Sequence, residues 1–114
     1  MACQVSLQHL AQLIDADMQA PSGYDPSQVQ VLGISTDTRL IQAEYVFLAL
    51  QGERFDGHQF AEQALNMGAV GVIGQVPMDL AGPQLLVQDT LLAYQKIARW
   101  WRQNLGLPIV AITG

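Results

Sequence analysis

The segment from Tyr45 to Ile73 constrains the fold more than any other part of this 114-residue chain. Tyr45-Val-Phe-Leu-Ala-Leu50 is an uninterrupted apolar run of strand length, the pattern of a strand covered on both faces. Asp56 stands where it can cap a helix, and Gln59 occupies the position that completes a capping box. Phe60, Ala61, Ala64 and Leu65 give that helix one apolar side, and Gly68 is placed to stop it. Val70-Gly-Val-Ile73 then reads as a second strand. Strand, helix and strand in that order predict an α/β fold whose sheet is at least partly parallel.

The rest of the chain extends the alternation. Ser6 is a good N-cap, Leu7, Leu10, Ala11 and Ile14 recur at the spacing of an apolar helix face, and Val5 and Leu10 sit as a hydrophobic staple. A short helix of about two turns follows from them. Ala20 to Pro26 is rich in turn residues and predicts a surface loop, after which Val29 and Val31 alternate as in a half-buried strand ending near Ile34. Pro77 to Pro83 reads as a loop and Leu85-Leu-Val87 as a short strand. From Asp89 or Thr90 a long helix is predicted to about Asn104, with Tyr94, Ile97, Ala98, Trp101 and Leu105 on one stripe. Gly106 and Pro108 end it before the apolar run Ile109 to Ile112. The expected fold class is α/β: a small mixed, partly parallel sheet with flanking helices.

Half of the residues are hydrophobic and 13% are charged, enough apolar surface to bury a core. The net charge of -5 argues against nucleic acid or an anionic membrane surface as the main partner. All ten acids precede residue 90, where Arg39 and Arg54 are the only basic residues. Lys96, Arg99 and Arg102 fall instead in the C-terminal half of the long helix, where its dipole favours cations; anion binding is the alternative. The single Cys3 cannot form an internal disulfide, which suits a reducing compartment. Met1 to Ile14 lacks the pattern of a signal or transit peptide, and Gly68 to Val87 is interrupted by Pro77, Asp79 and Pro83. A soluble, cytoplasmic protein without membrane insertion is the expectation.

Little here points to catalysis. No Cys or His pair has metal-ligand spacing and no serine sits in a nucleophile elbow, so neither a catalytic residue nor a metal site is expected. His9 lies on the polar side of the first helix and reads as solvated; Asp56-Gly-His58 reads as a cap and a polar first turn in preference to metal ligands. Two polar loops at strand ends stand out, the place where α/β sheets put ligand sites. Ser35-Thr-Asp-Thr-Arg39 packs three hydroxyls, a carboxylate and a guanidinium together, and Gln51-Gly-Glu-Arg-Phe-Asp-Gly-His58 follows the buried strand. Hydroxyls and backbone N–H groups beside arginine suit a nucleotide's phosphates, ribose or base edge. Equally, Asp37 and Arg39 can form a turn with a local ion pair, and Glu53 and Arg54 can be solvated loop charges.

Those two loops, together with Val87-Gln-Asp-Thr90 before a long helix and the terminal Ile109-Val-Ala-Ile-Thr-Gly114, resemble the N-terminal region of the Mur ligases. These are the ATP-dependent amide-bond-forming enzymes of peptidoglycan precursor synthesis, and the similarity covers nearly the entire chain in order. The wording from Gly52 to His58 is most similar to the branch that adds D-alanyl-D-alanine to UDP-N-acetylmuramoyl-tripeptide. The branch that adds the third amino acid shares the D-[ST]-R turn but usually differs in the second loop.

The resemblance implies that Thr36, Asp37, Thr38 and Arg39, with Gly52, Glu53, Arg54, Phe55, Asp56 and Gly57, line the pocket for the uridine end of a UDP-N-acetylmuramoyl-peptide. Backbone groups and the Thr36 and Thr38 hydroxyls would read the uracil edge and ribose, and Phe55 or its neighbours would cover the base. Arg39 and Arg54 would either join them or brace the loops through Asp37 or Glu53. The family's phosphate loop has the form T-G-x-x-G-K-[TS], and Thr113 and Gly114 match its start. ATP and Mg²⁺ are implied for the full-length enzyme. No cofactor is expected for these 114 residues, which lack the loop's lysine and are expected to be inactive alone.

The implied organisation is a UDP-substrate-binding domain over 1–88, then a linker helix and the first strand of a central ATPase domain over 89–114. The remaining ligase domains would be partners in cis, and trimming near Val87 is expected to leave the core folded. A fragment of the neighbouring branch, or a stand-alone non-catalytic module that binds a nucleotide sugar or regulates the pathway, are the alternatives.

Overall fold

A computed structural model of the chain describes residues 5–50 and 57–105. The first strand, β1 (Val5–Ser6), runs directly into helix α1 (Leu7–Leu13). Ser6 caps that helix as its position predicts, its Oγ accepting the His9 N–H at 3.0 Å. Val5 and Leu10 are both buried in one cluster, as a hydrophobic staple requires.

The strand–helix–strand unit forms as expected. Strand β5 (Tyr45–Leu48) is buried along its whole length, and β6 (Gly71–Gly74) pairs with it in parallel. Helix α2 (Ala61–Asn66) connects them, preceded by a 3₁₀ turn over Gly57–Phe60. Asp56, the expected cap, lies outside the described residues; Phe60 precedes α2 without a side-chain cap. Gly68 stops the helix at φ 115°, a left-handed conformation that costs glycine little.

The main sheet has five strands in the order β2-β7-β6-β5-β4, where β2 is Asp17–Gln19, β4 is Gly33–Ser35 and β7 is Gln84–Leu86. Three of its pairings are parallel, β4 with β5, β5 with β6 and β6 with β7; β2 adds to β7 antiparallel. The period-2 alternation of a strand explains why β5 is apolar throughout. Tyr45, Phe47 and Ala49 face Ala61 and Ala64 of α2, while Val46 and Leu48 join Ile34, Ile73 and Leu85 against Leu7 and Leu10 of α1.

Three features differ from expectation. The strand expected through Val29 to Ile34 is two strands: β3 (Gln30–Val31) pairs antiparallel with β1 in a separate two-stranded sheet, and β4 joins the main one. The break is Leu32, 41% exposed, whose N–H turns aside to the Glu44 carbonyl at 2.8 Å. Strand β2 was not foreseen, because Asp17-Met-Gln19 has one apolar residue and is held as an edge strand by β7 alone.

The third difference concerns helix α3 (Thr90–Leu105), placed by the sequence outside the core. Its Ala93, Ile97 and Trp101 are buried in the same cluster as Leu7, Leu10, Ile34 and Leu85. The core therefore includes one face of α3, apolar surface that trimming near Val87 would expose to water.

Candidate functional site

Four parallel strands place their carboxyl ends, Ser35, Leu48, Gly74 and Leu86, along one edge of the sheet. Loops leaving that edge are where α/β sheets hold ligands. Because β4 and β5 are neighbours, with Ser35 opposite Phe47, the strand ends that precede the two polar segments singled out by sequence lie side by side.

The first loop is built by its own side chains. Ser35 is fully buried, and its Oγ donates to the Asp37 carbonyl at 2.8 Å while accepting the Asp37 N–H at 3.0 Å. Asp37 then caps a 3₁₀ turn over Thr38–Leu40, its Oδ1 accepting the Arg39 N–H at 2.9 Å. The Arg39 side chain folds back on the same carboxylate: Nε donates to both oxygens at 3.1 Å and Nη2 to Oδ2 at 2.7 Å. This is the contact that the bracing role requires of Arg39. The Arg39 side chain is 86% exposed against 23% for Asp37, so the pair lies at the surface of the loop. Thr36 and Thr38 are half-buried beside it.

Arg39 holds the Asp37 carboxyl below its ordinary range, first through the side-chain hydrogen bond and then through the backbone N–H. The Asp37 carboxylate in turn holds the guanidinium above its own. A depressed carboxylate contributes stability that is present above its unfolded value and lost as pH falls through the folded one. The brace is therefore expected to persist through neutral and mildly acidic pH and to open only below the usual aspartate value of about 3.9. In a carboxyl-carbon NMR titration, Asp37 should show that lowered midpoint and Arg39→Ala should raise it; equal midpoints in the two proteins would show that Arg39 does not hold the carboxylate.

Of the second loop, Gly52, Glu53, Arg54, Phe55 and Asp56 lie outside the described residues, as do Thr113 and Gly114. Gly57, at the loop's exit, is buried, and its N–H donates to the Leu50 carbonyl at 2.7 Å. A Cβ there would stand 2.9 Å from Ala49 Cα and from the Leu50 nitrogen and oxygen. Only glycine lets the chain re-enter this close to the end of β5.

Sequence reasoning missed the next contact. His58, read as part of a polar first turn, accepts the Gln75 N–H on its Nε2 at 2.8 Å. Gln75 Oε1 in turn accepts both the N–H and the hydroxyl of Thr90, each at 3.0 Å. No linear signal joins positions 58, 75 and 90; the parallel pairing of β5, β6 and β7 does. His9, read as solvated, is exposed but packs edge-on against Trp100 at 5.4 Å between ring centroids. Among the described residues no three His, Cys, Asp or Glu side chains are grouped as metal ligands would be. A separate cleft of about 810 Å³ opens between the end of α1, strands β2 and β7, and α3, lined in part by Asp15, Asp17, Asp89 and Lys96.

Residues 30–99 match the model of the Mur ligase family, catalytic domain. The chain is 47% identical over 89 residues to the UDP-N-acetylmuramoyl-tripeptide–D-alanyl-D-alanine ligase of Synechocystis sp., a match covering 75% of this chain and 20% of that enzyme. It is 37% identical over 110 residues to the enzyme of that name from Escherichia coli, covering 96% and 23%. Among solved structures, MurF from Acinetobacter baumannii superposes with a TM-score of 0.74 at 32% identity, over 90% of this chain and 22% of that one. The chain thus spans about a fifth of the length of the curated relatives it matches.

Proposed function

Because the chain belongs to the Mur ligase family, we propose that it holds the uridine diphosphate end of a UDP-N-acetylmuramoyl-peptide for a peptidoglycan-precursor ligase. The observation that carries this reading is the juxtaposition of the carboxyl ends of the adjacent parallel strands β4 and β5, each followed in sequence by a polar segment. Its support from relatives is the activity they are named for, the joining of D-alanyl-D-alanine to UDP-N-acetylmuramoyl-tripeptide.

In this reading the Thr36 and Thr38 hydroxyls and nearby backbone groups meet the uracil edge and ribose. Asp37 and Arg39 keep their loop in shape, and Gly52, Glu53, Arg54, Phe55, Asp56 and Gly57 form the facing wall, with Phe55 over the base. Residues 1–88 are assigned to substrate binding and 89–114 to the passage into a central ATPase domain, where Thr113 and Gly114 open the ATP site. In the whole enzyme ATP with Mg²⁺ would supply the phosphoryl group that activates the substrate carboxylate, with release of ADP, and the amine of D-alanyl-D-alanine would then displace phosphate to form the amide. That step is assigned to residues beyond the described ones.

Among the described residues no helix is long and apolar enough to cross a membrane. Work in the cytoplasm on a small nucleotide sugar is the assignment, and the acidic composition speaks against nucleic acid as a partner.

Calorimetric titration of the chain with UDP-N-acetylmuramoyl-tripeptide tests the proposal. Saturable heat is expected, reduced in Thr36→Val. The absence of any heat at millimolar ligand would remove the basis for a preformed uridine site.

A further inference from the structure

The contact between His58 and Gln75 has a geometry that a surface turn does not require. Gly74 makes room for the ring: a Cβ at that position would stand 3.0 Å from both Cδ2 and Nε2 of His58. The imidazole lies against the Gly74–Gln75 backbone at the carboxyl end of β6. Its Nε2 accepts the Gln75 N–H at 2.8 Å. One residue before His58, Gly57 is held against Leu50 by the 2.7 Å bond that closes the second loop. On the far side, the Gln75 side chain is fixed by two donors from Thr90, a residue only 1% exposed at the start of α3.

From this chain of contacts we infer that His58 is a positioning residue: through Gln75 it ties the exit of the second loop to the amino end of α3. The inference rests on the reading of that loop as part of the uridine diphosphate site and adds what holds it in place. The loop exit, the end of β6 and the start of α3 then behave as one unit, so a change at Thr90 reaches Gly57. Each link is a half-buried or buried hydrogen bond, where removing one partner leaves the other unsatisfied. Apolar packing alone, being non-directional, would not fix the loop exit in one orientation.

The test uses three variants of the chain, with UDP-N-acetylmuramoyl-tripeptide as probe. His58→Leu keeps bulk but removes the acceptor, His58→Gln returns an acceptor oxygen near the Nε2 position, and Thr90→Val removes the far hydroxyl while keeping its shape. His58→Leu is expected to weaken binding about tenfold, the scale of one lost buried hydrogen bond, with His58→Gln within about threefold of the parent. Thr90→Val should weaken binding by about threefold, and the His58→Leu/Thr90→Val double variant should be no weaker than His58→Leu, because the link is already cut.

Parental affinity in His58→Leu, equal losses in the Leu and Gln variants, or effects that multiply in the double variant would each overturn the inference. If the parent chain itself does not bind, the functional reading fails, and the link is judged without ligand. Thr90→Val must then shift the Gly57 amide resonance in the parent background and not in His58→Leu. An unmoved Gly57 amide overturns the link.

Discussion

A chain ended at Gln88 is expected to show no cooperative unfolding transition. Helix α3 contributes Ala93 and Trp101, each 3% exposed, and Ile97, fully buried, to the cluster that also contains Val5, Leu7, Leu10, Ile34, Val46 and Leu85. Burying a large aliphatic side chain contributes about 1.5–3 kcal/mol, and truncating a core tryptophan costs about 3–5 kcal/mol. Removing the helix also returns the facing surface of α1 to water. The total is comparable with the whole stability of an ordinary domain, about 5–15 kcal/mol. In urea, followed by circular dichroism, the trimmed chain should lose signal gradually, while Trp101→Ala in the full chain should keep a sigmoidal transition moved to lower denaturant. A sigmoidal transition with unchanged midpoint and slope in the trimmed chain would mean that α3 lies on a finished core.

Gly57→Ala is expected to damage both stability and ligand binding. The added Cβ would meet Ala49 Cα and the Leu50 nitrogen and oxygen at 2.9 Å, and these are backbone atoms of the chain leaving β5, with no side chain to swing aside. Relief requires separating Gly57 from Leu50, which breaks the 2.7 Å hydrogen bond between them. Overpacking of this kind costs about 1–3 kcal/mol. Because the strain falls where the second loop begins and ends, affinity for a UDP-N-acetylmuramoyl-peptide should fall at least about tenfold, by the sensitivity of binding to positioning of about an ångström. Thermal unfolding and calorimetry read the two effects separately. A lowered melting temperature with unchanged affinity would place the loop outside the ligand site.

Local signals were the legible part of the fold. Ser6 announces its helix because capping involves neighbours three residues apart. Gly68 announces the end of α2 because its left-handed φ is a property of one residue. The apolar run from Tyr45 is legible because both faces of β5 are covered. What escaped depends on distant partners. Asp17-Met-Gln19 is a strand only because β7 lies beside it, and Leu32 breaks a strand by bonding to Glu44. For the candidate site, sequence identified both loops and offered the Asp37–Arg39 pair as one of two readings. It read His58 as part of a polar first turn and missed its partner Gln75, which the sheet brings there.

The central claim is that the carboxyl edge of β4 and β5 receives the uridine diphosphate end of the substrate. Amide chemical-shift mapping of the ¹⁵N-labelled chain during titration with UDP-N-acetylmuramoyl-tripeptide tests it most directly. The account predicts the largest shifts at Thr36 to Arg39 and at Gly57, with smaller ones at His58 and Gln75. Shifts confined to Asp15, Asp17 and Asp89, around the cleft between α1 and α3, would contradict it.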